Sequence, residues 1–256
     1  MGGCCLPGQM TSEVKQLDDE QLETFDTDYV RGERWDAMCR FLDNAIQELE
    51  TVRILDIGGG NGQFADQLLE RYDTIEVTVL DNAEVLLAKN TEHPRKTVRL
   101  GSAADLGSLF DGESFEVVTI NWVLHHLVVD GYAPTAEVVK ATLLGAKRVL
   151  IPSGHLSVFE NLYEGYIVDS APSRLIFGLT SLSSERFADV LGRLGANTAG
   201  VGVCFRSDVA WRSLFADAGF ALGQRTICDT LPVSKAKRIA LHLRPVSVVH
   251  YVFRCR

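Results

Sequence analysis

The densest chemistry in the sequence is Asp56-Ile57-Gly58-Gly59-Gly60-Asn61-Gly62, where an acidic residue meets spaced glycines directly after the apolar run Ile54-Leu55. Glycines let backbone N–H groups come close to a ligand. Phe64, Leu68, Leu69 and Tyr72 follow at helical spacing, so a helix start adds its favourable dipole end. A phosphate-cradling loop ends in Gly-Lys-Ser/Thr, which Gly62-Gln63-Phe64 does not supply. A dinucleotide loop needs G-x-G-x-x-G, and counting from Gly58 its third glycine would fall at Gln63. A carboxylate beside the loop repels a pyrophosphate but suits a cationic amino group. A second acidic residue roughly 20 residues on, at the end of the next strand, suits a ribose diol. Asp81, closing Glu76-Val77-Thr78-Val79-Leu80, stands there.

With these residues the chain resembles the class I S-adenosylmethionine-dependent methyltransferases, and the resemblance runs through roughly residues 50–255. Gly101-Ser102-Ala103-Ala104-Asp105-Leu106 is similar to their third-strand segment, and Phe115 to Asn121 followed by Val123-Leu124-His125-His126-Leu127 to their fourth strand and the turn after it. Arg148 to Leu156, with Pro152 and Gly154, resembles the helix, Pro-x-Gly turn and fifth strand; Trp211 to Phe220 resembles the helix leading into the sixth. The resemblance implies S-adenosylmethionine as cofactor. Gly58, Gly60 and Gly62 would shape the loop around its methionine portion, Asp56 would lie near the amino group, and Asp81 would accept the ribose hydroxyls. Asn82 would lie beside the adenine, with Ser102 and Ala103 at its edge and Asn121 at the neighbouring strand end. Ser102 departs from the family's usual Asp, and a hydroxyl accepts from an adenine amino group less strongly than a carboxylate.

Methyl transfer from a sulfonium is an in-line displacement with an already activated donor, so holding the reactants in line and dry is the protein's main task. The family's O-methyltransferases use a histidine in a similar Trp-x-x-His setting as general base, which makes His125 the first catalytic candidate and His126 the second. An imidazole titrating near pH 6.5 is largely neutral at pH 7 and ready to take a proton. A purely structural His-His pair is the alternative. Glu160, at the end of the fifth strand, is a candidate for binding a substrate amine or hydroxyl, or else a loop-anchoring carboxylate. His126 and Asp130 have the spacing of a metal pair but no third ligand of suitable spacing, so no metal is expected.

Strands near 52–57, 75–80, 97–101, 115–121 and 155–160 alternate with helical patterns, the pattern of a parallel sheet covered on both faces. Ligands bind beyond the C-terminal strand ends of such sheets, where Asp56, Asp81, Ser102 and Asn121 fall. The expected fold is therefore α/β, a Rossmann-like three-layer α/β/α sandwich. The resemblance adds strands after residue 220, for a mostly parallel seven-stranded sheet with an antiparallel last strand. Residues 1–17 read as a disordered leader and 18–50 as an N-terminal helical lid. Residues 51–256 read as the methyltransferase domain, with a helical substrate cap inserted at about 162–206. Tyr29, Trp35, Tyr163 and Phe177 are then candidate pocket walls together with Glu160; for the aromatics, plain core packing is the alternative.

The chain has 256 residues and a formal charge of −9. No basic cluster is large enough to track a phosphate backbone, so nucleic acid is disfavoured and a small-molecule methyl acceptor expected. No apolar run approaches a membrane span. The six cysteines lack C-x-x-C spacing and fit a reducing cytoplasm. Met1-Gly2-Gly3-Cys4-Cys5 begins as some acylated termini do, but Leu6 stands where the myristoylation pattern wants Ser or Thr. Oligomeric state is open, a homodimer included. The expected function is methyl transfer from S-adenosylmethionine to a small organic acceptor, foremost at oxygen. The alternatives are N-, C- or protein methylation, or a cofactor-binding protein without turnover.

Overall fold

The computed structural model describes residues 14–16, 21–22, 30–47, 49–182 and 200–256. Tyr29 and most of the expected leader lie outside them, as does the stretch 183–199 of the expected cap. Seven strands form one sheet in the order β3-β2-β1-β4-β5-β7-β6: β1 Val52–Ile57, β2 Ile75–Asp81, β3 Lys96–Leu100, β4 Phe115–Asn121, β5 Leu150–Leu162, β6 Phe220–Leu231 and β7 Val246–Cys255. β7 pairs antiparallel with both β5 and β6, while the pairings among β1 to β5 are parallel. β1 has β2 on one side and β4 on the other, so chain order reverses there. That reversal opens a crevice at the C-terminal strand ends.

Two apolar cores, one on each face, follow from the two-residue period of the strands. Ile54, Val77, Val79, Val117 and Phe159 point to the face covered by α1 (Glu33–Ala45) and α2 (Gln63–Arg71). Leu55, Ile57, Leu80, Val118, Ile120 and Val158 point to the face covered by α5 (Tyr132–Val149) and α7 (Asp208–Asp217). The short helices α3 (Glu84–Leu87) and α4 (Leu106–Leu109) follow β2 and β3; α6 (Ala171–Thr180) follows β5, and α8 (Lys235–Ala240) lies between β6 and β7.

Three segments differ in detail from the sequence reading. β5 begins at Leu150 and absorbs Pro152 and Gly154 as an irregularity, with the register jumping from Phe115↔Leu150 to Val117↔His155. α1 buries Ala37, Met38, Phe41 and Leu42 against the sheet, with Phe41 packed on His155 and His250; only its first turn reaches the strand ends. Lys15 N–H donates to the Val128 carbonyl at 2.9 Å and its ammonium pairs with Asp130 at 2.8 Å, so the described end of the leader is docked.

Candidate active site

The glycine loop joins β1 to α2. Gly58 and Gly62 have φ of 72° and 75°, and a Cβ would stand 2.2 Å from Val123 Cγ2 at the first and 1.9 Å from Asn90 Oδ1 at the second. Only glycine fits both the dihedral and the space. Gly58 N–H donates to the Leu80 carbonyl at 2.7 Å and Gly60 N–H to Asp81 Oδ2 at 3.0 Å, tying the loop to the end of β2. Asn90 holds the loop from its outer side, Nδ2 donating to the carbonyls of Gly60 (2.8 Å) and Leu87 (3.1 Å).

Asp81 also accepts from Ala83 N–H at 2.8 Å, which leaves each carboxylate oxygen a further lone pair for a hydroxyl donor. Burial raises its pKa, opposed by the backbone N–H groups of Ala83, Gly60 and Asn82. Asp81 O accepts from Gly101 N–H, which brings Asn82, Ser102 and Ala103 to the same rim; Asn82 is exposed and Ser102 Oγ accepts from Ala104 N–H.

Asp56 lies under the loop, 1% exposed, with Oδ1 accepting from Thr119 Oγ1 at 2.8 Å and Oδ2 beneath Gly59. Burial pushes its pKa up to about 7; the Thr119 hydrogen bond opposes the shift and the charge of Asp81 adds to it. Asp56 Oδ2 and Asn121 Oδ1 are buried oxygens with no hydrogen-bond donor among the described residues. Two orphaned acceptors flanking a glycine loop, with Asp81 at the next strand end, fit a ligand carrying an ammonium group and a ribose diol.

On the other face of the sheet, His125 and Glu160 form a buried pair. Asn121 is in register with Phe159, which sets the turn after β4 beside the end of β5. His125 Nδ1 is 2.7 Å from Glu160 Oε2, and His125 N–H donates to Glu160 Oε1 at 3.3 Å. Glu160 is 0% exposed, so this carboxylate is engaged with His125 and does not reach a pocket surface. An ionised carboxylate only accepts, so at this distance Glu160 favours the arrangement in which Nδ1 donates to it. Phe205 stacks on the His125 ring at 4.5 Å and Tyr163 stacks on Phe205 at 4.1 Å. Burial pushes the Tyr163 hydroxyl up to about 12. His126, against His125 at 4.2 Å, is held well below the ordinary imidazole range by burial and by the charge of His125. Leu124–His126 is a single 3-10 turn and Asp130 pairs with Lys15, so His126 and Asp130 share no helix face.

The structure thus gathers Asp56, Gly58, Gly60, Gly62, Asp81, Asn82, Ser102, Ala103, Asn121, His125, His126, Glu160 and Tyr163 around the C-terminal strand ends. Trp35 instead packs edge-on to Phe64 of α2 and lines an open hollow with Gln67, Glu70 and Arg71. Phe177 packs on Tyr132 in a small cluster with Val128 and Cys204. Sequence reasoning missed Phe205 and Trp122. Trp122 has φ of 56°, an uncommon value for a bulky residue; its Nε1 donates to Asn161 Oδ1 at 3.0 Å, and its ring lies between Phe159 (5.2 Å) and the Arg34 guanidinium (5.4 Å). Its sequence signals were its place directly after a strand-ending Asn and the Trp-x-x-His spacing to His125, neither of which gave it a role.

Residues 55–158 match the family model described as a methyltransferase domain. The O-methyltransferase verK of Clonostachys rogersoniana is 28% identical over 211 residues, covering 77% of this chain and 44% of that protein. The chain spans less than half the length of the curated relatives it matches. Among solved structures, an S-adenosylmethionine-dependent methyltransferase from Mesorhizobium loti superposes with a TM-score of 0.55 at 19% identity, covering 87% of this chain and 98% of that one. The [4+2]-cyclase SpnF superposes with a TM-score of 0.56 at 16% identity, covering 90% and 84%. Likeness at this level is a likeness of fold.

Proposed function

The chain carries the fold and glycine-loop domain of the class I S-adenosylmethionine-dependent methyltransferases, with S-adenosylmethionine as cofactor, and on that premise we propose that it methylates a hydroxyl oxygen of a small organic molecule. The bound cofactor supplies an activated methyl group on a sulfonium. Asp56 and Asn121 hold the ammonium end, Asp81 the ribose diol, and Asn82, Ser102 and Ala103 the adenine rim. His125 Nε2 takes the proton from the acceptor hydroxyl. Glu160 fixes the tautomer, orients the ring and stabilises the imidazolium that forms. Tyr163 and Phe205 wall the acceptor side and exclude water.

The observation that carries this reading is the buried His125–Glu160 pair, one turn past Asn121. A carboxylate-oriented imidazole is suited to deprotonating a hydroxyl of high pKa, whereas an amine that is already neutral needs no base. The distant likeness to an O-methyltransferase supports the choice of oxygen. The test supplies methyl-labelled S-adenosylmethionine and a metabolite extract, then reads S-adenosylhomocysteine by mass spectrometry and the labelled atom by NMR. Label on oxygen is expected. Label on nitrogen or carbon would move the reading to another acceptor atom. Bound donor with persistent lack of turnover would favour a cofactor-binding protein, a reading that the cyclase of similar fold keeps in view.

Donor affinity also depends on how firmly the loop is held. Asn90→Ala removes the hydrogen bond to the Gly60 carbonyl and frees the loop to sample other conformations. A hydrogen bond of net worth about 1 kcal/mol corresponds to about a fivefold loss. Calorimetry with S-adenosylhomocysteine is therefore expected to show weakening of about three- to tenfold, with kcat at saturating donor little changed.

A further inference from the structure

Beside the candidate acceptor wall lies a group of buried donors, three of whose nitrogens have no hydrogen-bond partner among the described residues. Arg206 is 5% exposed, and its Nε and Nη2 are buried without a hydrogen-bond partner among the described residues. Its guanidinium carbon sits 5.7 Å from the ring of Trp211, a wholly buried residue whose Nε1 is likewise unpartnered. It also sits 5.2 Å from the ring of Tyr132, against which the exposed Arg174 places a second guanidinium at 4.7 Å. Neither arginine forms an ion pair among the described residues, and the acids closest to them in the chain have other partners. Glu160 holds His125, Asp169 accepts from Ser207, and Asp208 holds Arg225 and Tyr251.

A buried guanidinium without a carboxylate is costly, and contact with aromatic faces offsets only part of the lost hydration. Three buried nitrogen donors without an acceptor among the described residues, beside two like charges, suit an oxygen-rich anion. The place of Arg206 in the chain ties this cluster to the active site. Cys204 N–H donates to the His125 carbonyl, Phe205 stacks on His125, and Arg206 pairs through its backbone with Leu162 and Tyr163.

We propose that Arg206 and Arg174, set about Tyr132, form a receptor for a carboxylate or phosphate group, and that the methyl acceptor carries this group. The receptor itself stands on the donor cluster; its assignment to the acceptor rests on the methyltransferase reading. The acceptor is then a hydroxylated organic acid or phosphate ester, with its anion held on the arginine side and its hydroxyl presented to His125.

Calorimetry of the whole chain with inorganic phosphate, with benzoate and with the neutral isostere benzamide tests it. One of the two anions is expected to bind and benzamide not, and which anion binds says whether the group is a phosphate or a carboxylate. Arg206→Gln is expected to weaken that binding about 10- to 100-fold. Arg174→Gln, on an exposed side chain that leaves the fold intact, is expected to weaken it about three- to tenfold, and carries the test should the first variant fail to fold. The bound anion is also expected to slow methylation of extract acceptors in the parent chain more than in Arg174→Gln. S-adenosylhomocysteine titrated in parallel separates the two claims. If it does not bind, the methyltransferase reading fails. If it binds while neither anion does, or while both variants bind the anion as the parent does, the receptor is overturned. Anion binding that leaves turnover untouched overturns the assignment to the acceptor.

Discussion

Replacing His125 by alanine is expected to lower kcat about 10²- to 10⁴-fold, the usual worth of a positioned general base, while S-adenosylhomocysteine affinity stays within about twofold. The expectation follows from the division of the site. The donor residues sit on the glycine loop and the ends of β1 and β2, whereas His125 lies beyond β4 on the opposite face, with Glu160 at Nδ1. Alanine also leaves Glu160 as a buried carboxylate without its partner, at a cost of about 3–5 kcal/mol to stability. His125→Gln is therefore the better variant, since its amide can still donate to Glu160 while offering no basic nitrogen. Glu160→Gln keeps an acceptor for Nδ1–H but loses the charge that steadies the imidazolium, and is expected to cost about 10- to 100-fold. His126, already disfavoured as a cation by burial, is expected to tolerate replacement by Asn with a much smaller loss. An unchanged rate in His125→Gln, with the chain folded and the donor bound, would leave proximity as the whole of the catalysis.

The proposed donor half of this site is local, so its placement at the strand ends was legible in the sequence. Asp56, the glycines and Asp81 are fixed by one strand-loop-helix unit and the strand that follows, and the structure puts those strands within a residue or two of their expected bounds. His125 and Glu160 were both named, but their pairing was not, because it depends on the register between β4 and β5 across 35 positions. Glu160 was read as binding substrate or anchoring a loop, and the structure pairs it with His125. Phe205 and Arg206 return to the site from beyond a long insertion, so nothing in the local pattern announces them. The face of α1 shows a different limit. Residues 18–50 were read as a helical lid, yet a helical pattern does not say what it will cover, and Met38 and Phe41 of α1 pack on the β5-β7 part of the sheet.

Donor affinity is expected to rise about 50-fold between pH 5 and pH 7, level off, and fall again above about pH 8 as the donor's own α-amino group loses its proton. The rise comes from Asp56. Its folded-state pKa of about 7 stands above the ordinary 3.8, so between those values the folded chain keeps a proton that the unfolded chain has released. An ammonium group binds the ionised carboxylate, so below pH 7 each bound donor expels about one proton, and apparent affinity changes about tenfold per pH unit. Calorimetry in two buffers of different ionisation enthalpy counts that proton directly. The same shift has the opposite sign for stability without ligand. Because the folded state binds more protons in the window from pH 3.8 to 7, stability falls as pH rises through it, by up to about 4 kcal/mol, and is constant above it. Asp56→Asn abolishes the titration. It is expected to match the parent in stability near pH 4, exceed it by about 2–4 kcal/mol at pH 8, and bind the donor weakly with no rise between pH 5 and 7. A parent chain whose affinity is flat over that range would show that Asp56 supports the loop from beneath without meeting the ammonium. A parent chain that shows both slopes carries a destabilising charge at neutral pH because the donor needs it ionised.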